Sequence, residues 1–77
     1  MKLEDMIIPS YSAGDYIKYR RLEDYDTESG ESTYSYHHDH ILRIIITYSM
    51  YTEPYCLYVT RDNDDNVSNK DIIEVVR

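Results

Sequence analysis

The fold is decided by residues 41–50, which read Ile-Leu-Arg-Ile-Ile-Ile-Thr-Tyr-Ser-Met. This is the most apolar and most β-branched run of the chain, and β-branched side chains pack well on the pleated surface of a strand. One face of such a strand carries Leu42, Ile44, Ile46, Tyr48 and Met50, and the other carries Ile41, Arg43, Ile45, Thr47, Ser49 and Tyr51. We expect the first set to face the core and the second to face a wetter surface.

Four further strands are predicted around this central one. Ile17 and Tyr19 alternate with polar residues over residues 16–21, which indicates a first strand with one buried face. Residues 55–60 follow a turn at Thr52-Glu53-Pro54 and are predicted to pair with the central strand as an antiparallel hairpin. The remaining elements are a hairpin loop at residues 62–66, a short strand at Val67, a tight or 3₁₀ turn over residues 68–71 and a fifth strand over residues 72–76.

Residues 22–33 are predicted to be a mobile loop. Acidic residues, Ser, Thr and Gly dominate there and offer too little apolar surface to offset the entropy of ordering. Order is expected to resume at Tyr34, either because the central strand begins early or because a separate short strand leads into it. Residues 1–13 form an N-terminal arm, and their pattern is too short to choose between a strand and a helical turn.

The order of these features resembles small SH3-like barrels, which are common among short bacterial and bacteriophage proteins. The resemblance is carried by a Gly-Asp turn into a strand at residues 14–17, by Tyr58-Val59-Thr60 before an Asp/Asn turn, and by residues 71–75. It implies a mainly β single domain, a small five-stranded SH3-like barrel over residues 14–76 with a long acidic loop between its first two strands. Such proteins bind nucleic acid, peptides or other proteins through the loop-lined end of the barrel. The length and the Tyr, Ile and Asp content also resemble those of phage early proteins that disable host factors.

The net charge and the cysteine count limit the partners and the cellular compartment that we expect for this chain. The formal charge is −7, with 15 acidic and 8 basic residues, which disfavours non-specific attraction to nucleic acid or anionic lipid and favours basic partners. Cys56 is the only cysteine, so an internal disulfide is excluded, and its apolar neighbours predict a buried thiol. No apolar run reaches the length of a membrane span. We therefore expect a protein of the cytoplasm, or of the host cytoplasm if the chain is phage-encoded.

His37-His38-Asp39-His40 is the most metal-like cluster of the sequence. On a strand, His38 and His40 share one face and could supply two imidazoles. His37 and Asp39 then lie on the opposite face, so a complete ligand set is not formed. Metal binding is not predicted at this cluster.

Calcium binding and catalysis are not predicted either. Asp62, Asp64 and Asn66 match the first spacings of a calcium loop. Val67 and Ile73 stand where that loop needs Gly and Glu. The sequence places no nucleophile beside a base and contains no glycine-rich phosphate loop. We therefore expect no cofactor and no enzymatic activity.

The acid excess provides the leading functional hypothesis. Duplex DNA presents one negative charge per about 1.7 Å of its axis, and a row of carboxylates can imitate that field. Interspersed Tyr25, Tyr34 and Tyr36 would add rigid contact area. The candidate partner-binding acids are Glu23, Asp24, Asp26, Glu28, Glu31 and Asp39, extended by Asp62, Asp64 and Asp65. The hypothesis is a non-enzymatic, phage-encoded inhibitor that occupies the basic nucleic-acid-binding surface of a host protein.

Two alternatives come from other features of the sequence. Aromatic and basic residues interleave over residues 16–21, as they do in single-strand binders. A small nucleic-acid-binding barrel would then use Lys18, Arg20, Arg21 and Arg43. The third hypothesis is an assembly subunit, such as a homodimer, in which the wetter face with Ile41, Ile45 and Tyr51 is an interface.

Overall fold

The computed structural model describes residues 8–48, 50–51 and 53–77. Its elements are β1 (Tyr16–Tyr25), β2 (Ser32–Thr47), β3 (Tyr55–Thr60), β4 (Asn66–Ser68), a 3₁₀ turn (Asn69–Asp71) and β5 (Ile72–Val75). All neighbouring strands are antiparallel, in the order β4-β3-β2-β1-β5. The prediction of a mainly β chain with five strands is confirmed. The sheet is open, because β4 and β5 do not pair among the described residues. None of the helices in these residues has the length and apolarity needed to cross a membrane.

The central strand changes face in the middle, which the sequence pattern did not predict. Ile41 pairs with Thr60 and Arg43 pairs with Val59, so Leu42 is left over as a β-bulge. Ile41 is 2% exposed and Leu42 is 54% exposed. The predicted faces are therefore wrong at these two positions. The bulge shifts the alternation by one residue relative to Ile41. Ile44 therefore packs against the core, as predicted. The predicted strand also extends too far, because β2 ends at Thr47, and Tyr48 and Met50, which were expected to face the core, are 47% and 92% exposed.

The β1–β2 hairpin is longer and its loop shorter than predicted. Residues 22–25 belong to β1 and residues 32–33 belong to β2, so the predicted loop over residues 22–33 contracts to residues 26–31. β2 is one continuous strand, which means that the central strand begins early. Backbone pairing between the two strands satisfies their N–H and C=O groups, and this works for polar side chains as well as for apolar ones. The prediction from composition therefore made β1 and β2 too short and the loop between them too long.

The core lies between β1, the second half of β2, β3 and β4, with β5 at its edge. Tyr58 is completely buried, and the ring of Tyr11 meets it edge-on at 5.4 Å between centroids. The backbone N–H of Ser10 donates to the Tyr58 hydroxyl at 3.1 Å. The buried cluster consists of Ile17, Tyr19, Ile41, Cys56, Tyr58, Val67 and Ile72. The expected burial of Ile17, Tyr19 and the Cys56 thiol is confirmed.

Two expectations fall partly or wholly on residues that the structure does not describe. Residues 1–7 of the predicted N-terminal arm lie outside the described residues, and so does Thr52 of the predicted β2–β3 turn. The described part of the arm ends in a turn at Gly14, which has a φ of +94°. Its N–H donates to the Ile41 carbonyl at 2.7 Å, which ties the start of β1 to the bulged part of β2.

Candidate functional site

The loop of the β1–β2 hairpin is organised by Asp26. The Asp26 N–H donates to the Glu31 carbonyl at 2.8 Å, and the Gly30 N–H donates to the Asp26 carbonyl at 2.7 Å. The Asp26 side chain accepts the Glu28 N–H at 2.9 Å through Oδ1. Gly30 has a φ of +76°, a conformation that glycine adopts without strain. The backbone of this acidic loop is therefore held by its own hydrogen bonds.

The acidic residues at this loop are exposed to solvent. We call Asp24, Asp26, Glu28 and Glu31 the acidic tip. All four residues are exposed, and none of them forms a salt bridge with any part of the chain that the structure describes. Backbone hydrogen bonds from Glu28 and Ser29 lower the pKa of Asp26, which keeps this carboxylate charged. Tyr25 lies beside them and is 55% exposed.

Arg21 joins the hairpin to the β3–β4 turn, where the second group of predicted acids lies. Its guanidinium contacts the Glu23 carboxylate at 2.9 Å and the Asp65 carboxylate at 3.3 Å. The Ser35 hydroxyl also donates to Glu23. This bond, followed by the one from Arg21, lowers the pKa of Glu23. Arg21 therefore brings Glu23 and Asp65 together, and both of these carboxylates are paired within the chain.

Asp39 does not belong to a partner-binding surface. It is 2% exposed, and its Oδ1 accepts the His40 N–H at 2.7 Å. Its Oδ2 accepts the N–H groups of Asp62 and Asn63 at 2.9 and 2.7 Å. Burial by itself raises the pKa of Asp39, but the backbone donors together outweigh burial and the net pKa lies below its usual value. The Asp39 carboxylate therefore stabilises the β3–β4 turn. Its prediction as a partner-binding residue is corrected accordingly.

The other acids of the β3–β4 turn differ in their availability. Asp62 is exposed and paired with the exposed Arg61 at 3.1 Å. Asp64 is exposed as well, with a φ of +55°. Asp65 instead accepts a hydrogen bond from the buried Tyr19 hydroxyl. Burial first, and then this bond to Asp65, raise the pKa of Tyr19.

Replacing Tyr19 with Phe tests this link between the core and the turn. The Tyr19 hydroxyl donates to Asp65 and accepts from the Asn63 side chain at 2.9 Å. Its removal leaves both partners short of one bond, so the free energy of unfolding is expected to fall by about 1–2 kcal/mol. Urea denaturation measures the loss. Tyr36→Phe is the control, because Tyr36 is 60% exposed and its hydroxyl can bond to water. An equal loss in both variants would contradict the structural role of the Tyr19 hydroxyl.

The opposite face of the hairpin is aromatic and basic. We call this the outer face, and its side chains lie on the side of the β1–β2 ladder away from Ile17 and Tyr19. The cross-strand pairs that form it are Tyr16 with His40, Lys18 with His38, Arg20 with Tyr36, and Leu22 with Tyr34. The Arg20 guanidinium lies 4.2 Å from the Tyr34 ring centroid, and the Lys18 ammonium lies 5.9 Å from that of Tyr36. Tyr34 and Tyr36 therefore lie beside Arg20 and Lys18, and not among the acidic residues with which the sequence analysis grouped them.

The basic residues named by the nucleic-acid alternative separate in the same way. Lys18 and Arg20 lie on the outer face, whereas Arg21 pairs with Ser35 on the other face and contacts carboxylates. Arg43 follows the bulge, and its register opposite Val59 places it on the face away from the buried Tyr58. The prediction of one basic surface that includes Arg21 is therefore wrong, because successive side chains of a strand lie on opposite faces.

The histidines are divided between both faces, as the strand pattern predicted. His38 stacks on Tyr16 with 5.9 Å between centroids, and His40 meets the same ring edge-on at 4.7 Å. His37 lies on the other face, where its Nε2 is 2.6 Å from the Ser35 hydroxyl. Asp39, His40 and Asp62 could each present one ligand atom within 4.8 Å of the others. Both oxygens of Asp39 already accept backbone N–H groups, so this cluster is accounted for by the turn that it supports.

The β1–β2 hairpin thus has a negatively charged tip and an outer face that carries basic side chains. No protein-family model matches the chain, and neither curated proteins nor solved structures give a match to it. The acidic tip and the outer face are the features of the described residues that bear on function.

Proposed function

We propose that this chain is a non-enzymatic interaction protein that occupies the basic nucleic-acid-binding surface of another protein with its acidic tip. The observation that carries the proposal is the acidic tip itself, where four exposed carboxylates are without a salt bridge to any described residue. Elsewhere the carboxylates of Glu23, Asp62, Asp65 and Asp71 are paired with arginines. The charge of the tip is therefore available to a partner.

The order of the loop supports the same proposal. Binding costs free energy when flexible groups must be ordered, and a loop that already holds its conformation avoids part of that cost. The hydrogen bonds around Asp26 and Gly30 provide such a conformation. Arg21 adds a second acidic segment by joining Glu23 to Asp65, so that Asp62 and Asp64 of the β3–β4 turn extend the negative surface. Lys and Arg side chains that normally contact phosphates would contact these carboxylates.

The finer fold assignment belongs to this proposal. We infer a small SH3-like barrel from the strand order β4-β3-β2-β1-β5 and from the single 3₁₀ turn between β4 and β5, both of which fit the resemblance described above. The proposal includes a bacteriophage origin, with a host protein that binds or processes nucleic acid as the target. Its place of action would then be the host cytoplasm.

Neutralising the acidic tip is expected to weaken the complex by about tenfold. The test variant is Glu28→Gln with Glu31→Gln, and the matched control is Glu53→Gln with Glu74→Gln, which changes the charge equally at exposed positions outside the tip. Each lost contact to a basic surface contributes about 0.7 kcal/mol, and the two together give about 1.4 kcal/mol, which is a tenfold change in the dissociation constant. Tagged wild-type and variant chains are immobilised, and the amount of a basic protein captured from nuclease-treated bacterial lysate is compared. Equal weakening by both variants would mean that only net charge matters and that the tip is not the site.

A further inference from the structure

The eight side chains that form the outer face include no carboxylate, although the chain is strongly acidic and Asp71 and Glu74 lie at the edge of this face. The chain has 15 acidic residues, and none of the eight side chains paired across the outer face is one of them. The face consists of Tyr16, Lys18, Arg20, Leu22, Tyr34, Tyr36, His38 and His40. Arg43 lies on the same side of the sheet beyond the bulge. A local surface of this sign and composition is suited to an anionic ligand that also offers flat apolar groups.

The rings on this face are held in position and remain accessible. Tyr36 is 60% exposed and Tyr16 is 37% exposed. Tyr16 and His38 are nearly parallel, with 13° between their planes. Arg20 packs against the Tyr34 ring, so a cation is held beside an aromatic plane. Aromatic planes with adjacent cations can stack bases and contact the phosphates that follow them.

We propose that the outer face binds single-stranded nucleic acid. Bases would stack on Tyr36 and Tyr16, and the backbone phosphates would lie near Lys18 and Arg20. Alternate side chains on a strand are about 6.6–6.8 Å apart, so the rings along the hairpin form a row rather than one pocket. This goes beyond the proposed function, because it uses a different surface and the opposite charge. A duplex hides its base faces, so stacking requires a single strand.

Two acidic residues at the edge of the face limit its affinity. The Asp71 carboxylate contacts Arg20 at 3.1 Å, and Glu74 of β5 pairs with Lys18 in the sheet register. Both reduce the positive charge that a phosphate would encounter. Glu74→Gln is therefore expected to raise the affinity about twofold at low salt, because a charge of the ligand's sign is removed beside Lys18.

Fluorescence anisotropy with labelled oligonucleotides tests the proposal. The probes are oligo(dT) and oligo(rU) of about twelve nucleotides in about 50 mM salt, and comparison of the two shows whether DNA or RNA is preferred. Tyr36→Ala is expected to weaken binding at least about fivefold through loss of base stacking. Lys18→Ala is expected to weaken binding and to reduce the salt dependence by one phosphate contact. The matched controls Tyr55→Ala and Lys70→Ala change exposed residues that do not belong to the outer face and are expected to bind like the wild type.

The results separate this proposal from the proposed function. Absence of wild-type binding to either probe would overturn it, and so would equal effects of Tyr36→Ala and Tyr55→Ala. Tighter binding to a duplex of the same length would also overturn it, since stacking would not be the source of affinity. Glu28→Gln with Glu31→Gln removes charge from the tip only. Its binding to the oligonucleotides is expected to be unchanged or stronger, while its complex with a basic protein is weakened.

Discussion

Replacing Asp39 with Asn is expected to lower the free energy of unfolding by about 3 kcal/mol. The carboxylate accepts N–H groups from three residues, His40 through Oδ1 and Asp62 and Asn63 through Oδ2. An amide presents one acceptor oxygen, and its NH₂ group would face a backbone donor. Thermal or urea denaturation measures the loss. Asp62→Asn is the control, because the Asp62 side chain is 65% exposed and contributes less than about 0.5 kcal/mol.

The same carboxylate gives a pH dependence with a definite sign. The pKa of Asp39 in the folded chain is below the ordinary value of 3.8. The stabilisation is therefore complete above about pH 5, and it is lost as the pH falls from there through the folded pKa. Asp39→Asn should flatten this part of the stability profile. A variant with the wild-type slope, or with wild-type stability at neutral pH, would contradict the role of Asp39 in the β3–β4 turn.

Replacing Ile41 with Ala is expected to cost about 2–4 kcal/mol of unfolding free energy, whereas Leu42→Ala is expected to cost less than about 0.5 kcal/mol. Ile41 is 2% exposed and Leu42 is 54% exposed, on either side of the bulge. Truncation at the first position leaves a cavity in the core, and truncation at the second leaves only solvent-exposed surface. Urea denaturation of the two variants compares the effects directly. A larger loss of stability for Leu42→Ala would contradict the bulge and would support the simple alternation predicted from the sequence.

Regular local patterns made much of the fold predictable from sequence. Residues 55–60 combine β-branched and aromatic residues between turn formers, and β3 covers the same residues. The 3₁₀ turn and β5 follow from a polar run beside Ile72 and Val75. Ile17 and Tyr19 were identified as core residues by strict alternation. In each of these segments, local propensity and tertiary packing favour the same structure.

The features that the sequence did not predict depend on pairing between distant residues. The bulge at Leu42 is set by the register with Val59 and Thr60, and no local pattern marks it. The extended hairpin depends on backbone pairing of polar residues, which composition treats as loop.

The candidate site shows the same limit. Asp39 resembled its acidic neighbours in sequence, and only the β3–β4 turn folded over it reveals its structural role. Arg20 and Arg21 were grouped in one basic surface, although their side chains lie on opposite faces of β1. The position of Tyr34 and Tyr36 beside the cations became apparent only through cross-strand contacts.

The measurement that tests the central proposal most directly is competition between this chain and duplex DNA for the captured basic protein. The proposed function predicts that the protein leaves the immobilised chain when duplex DNA is added. It also predicts release as salt rises from about 0.1 M to about 1 M, where the screening length falls from about 10 Å to about 3 Å. Retention of the protein in excess DNA and in high salt would contradict the proposal, because the contact would then be apolar and separate from the nucleic-acid-binding surface.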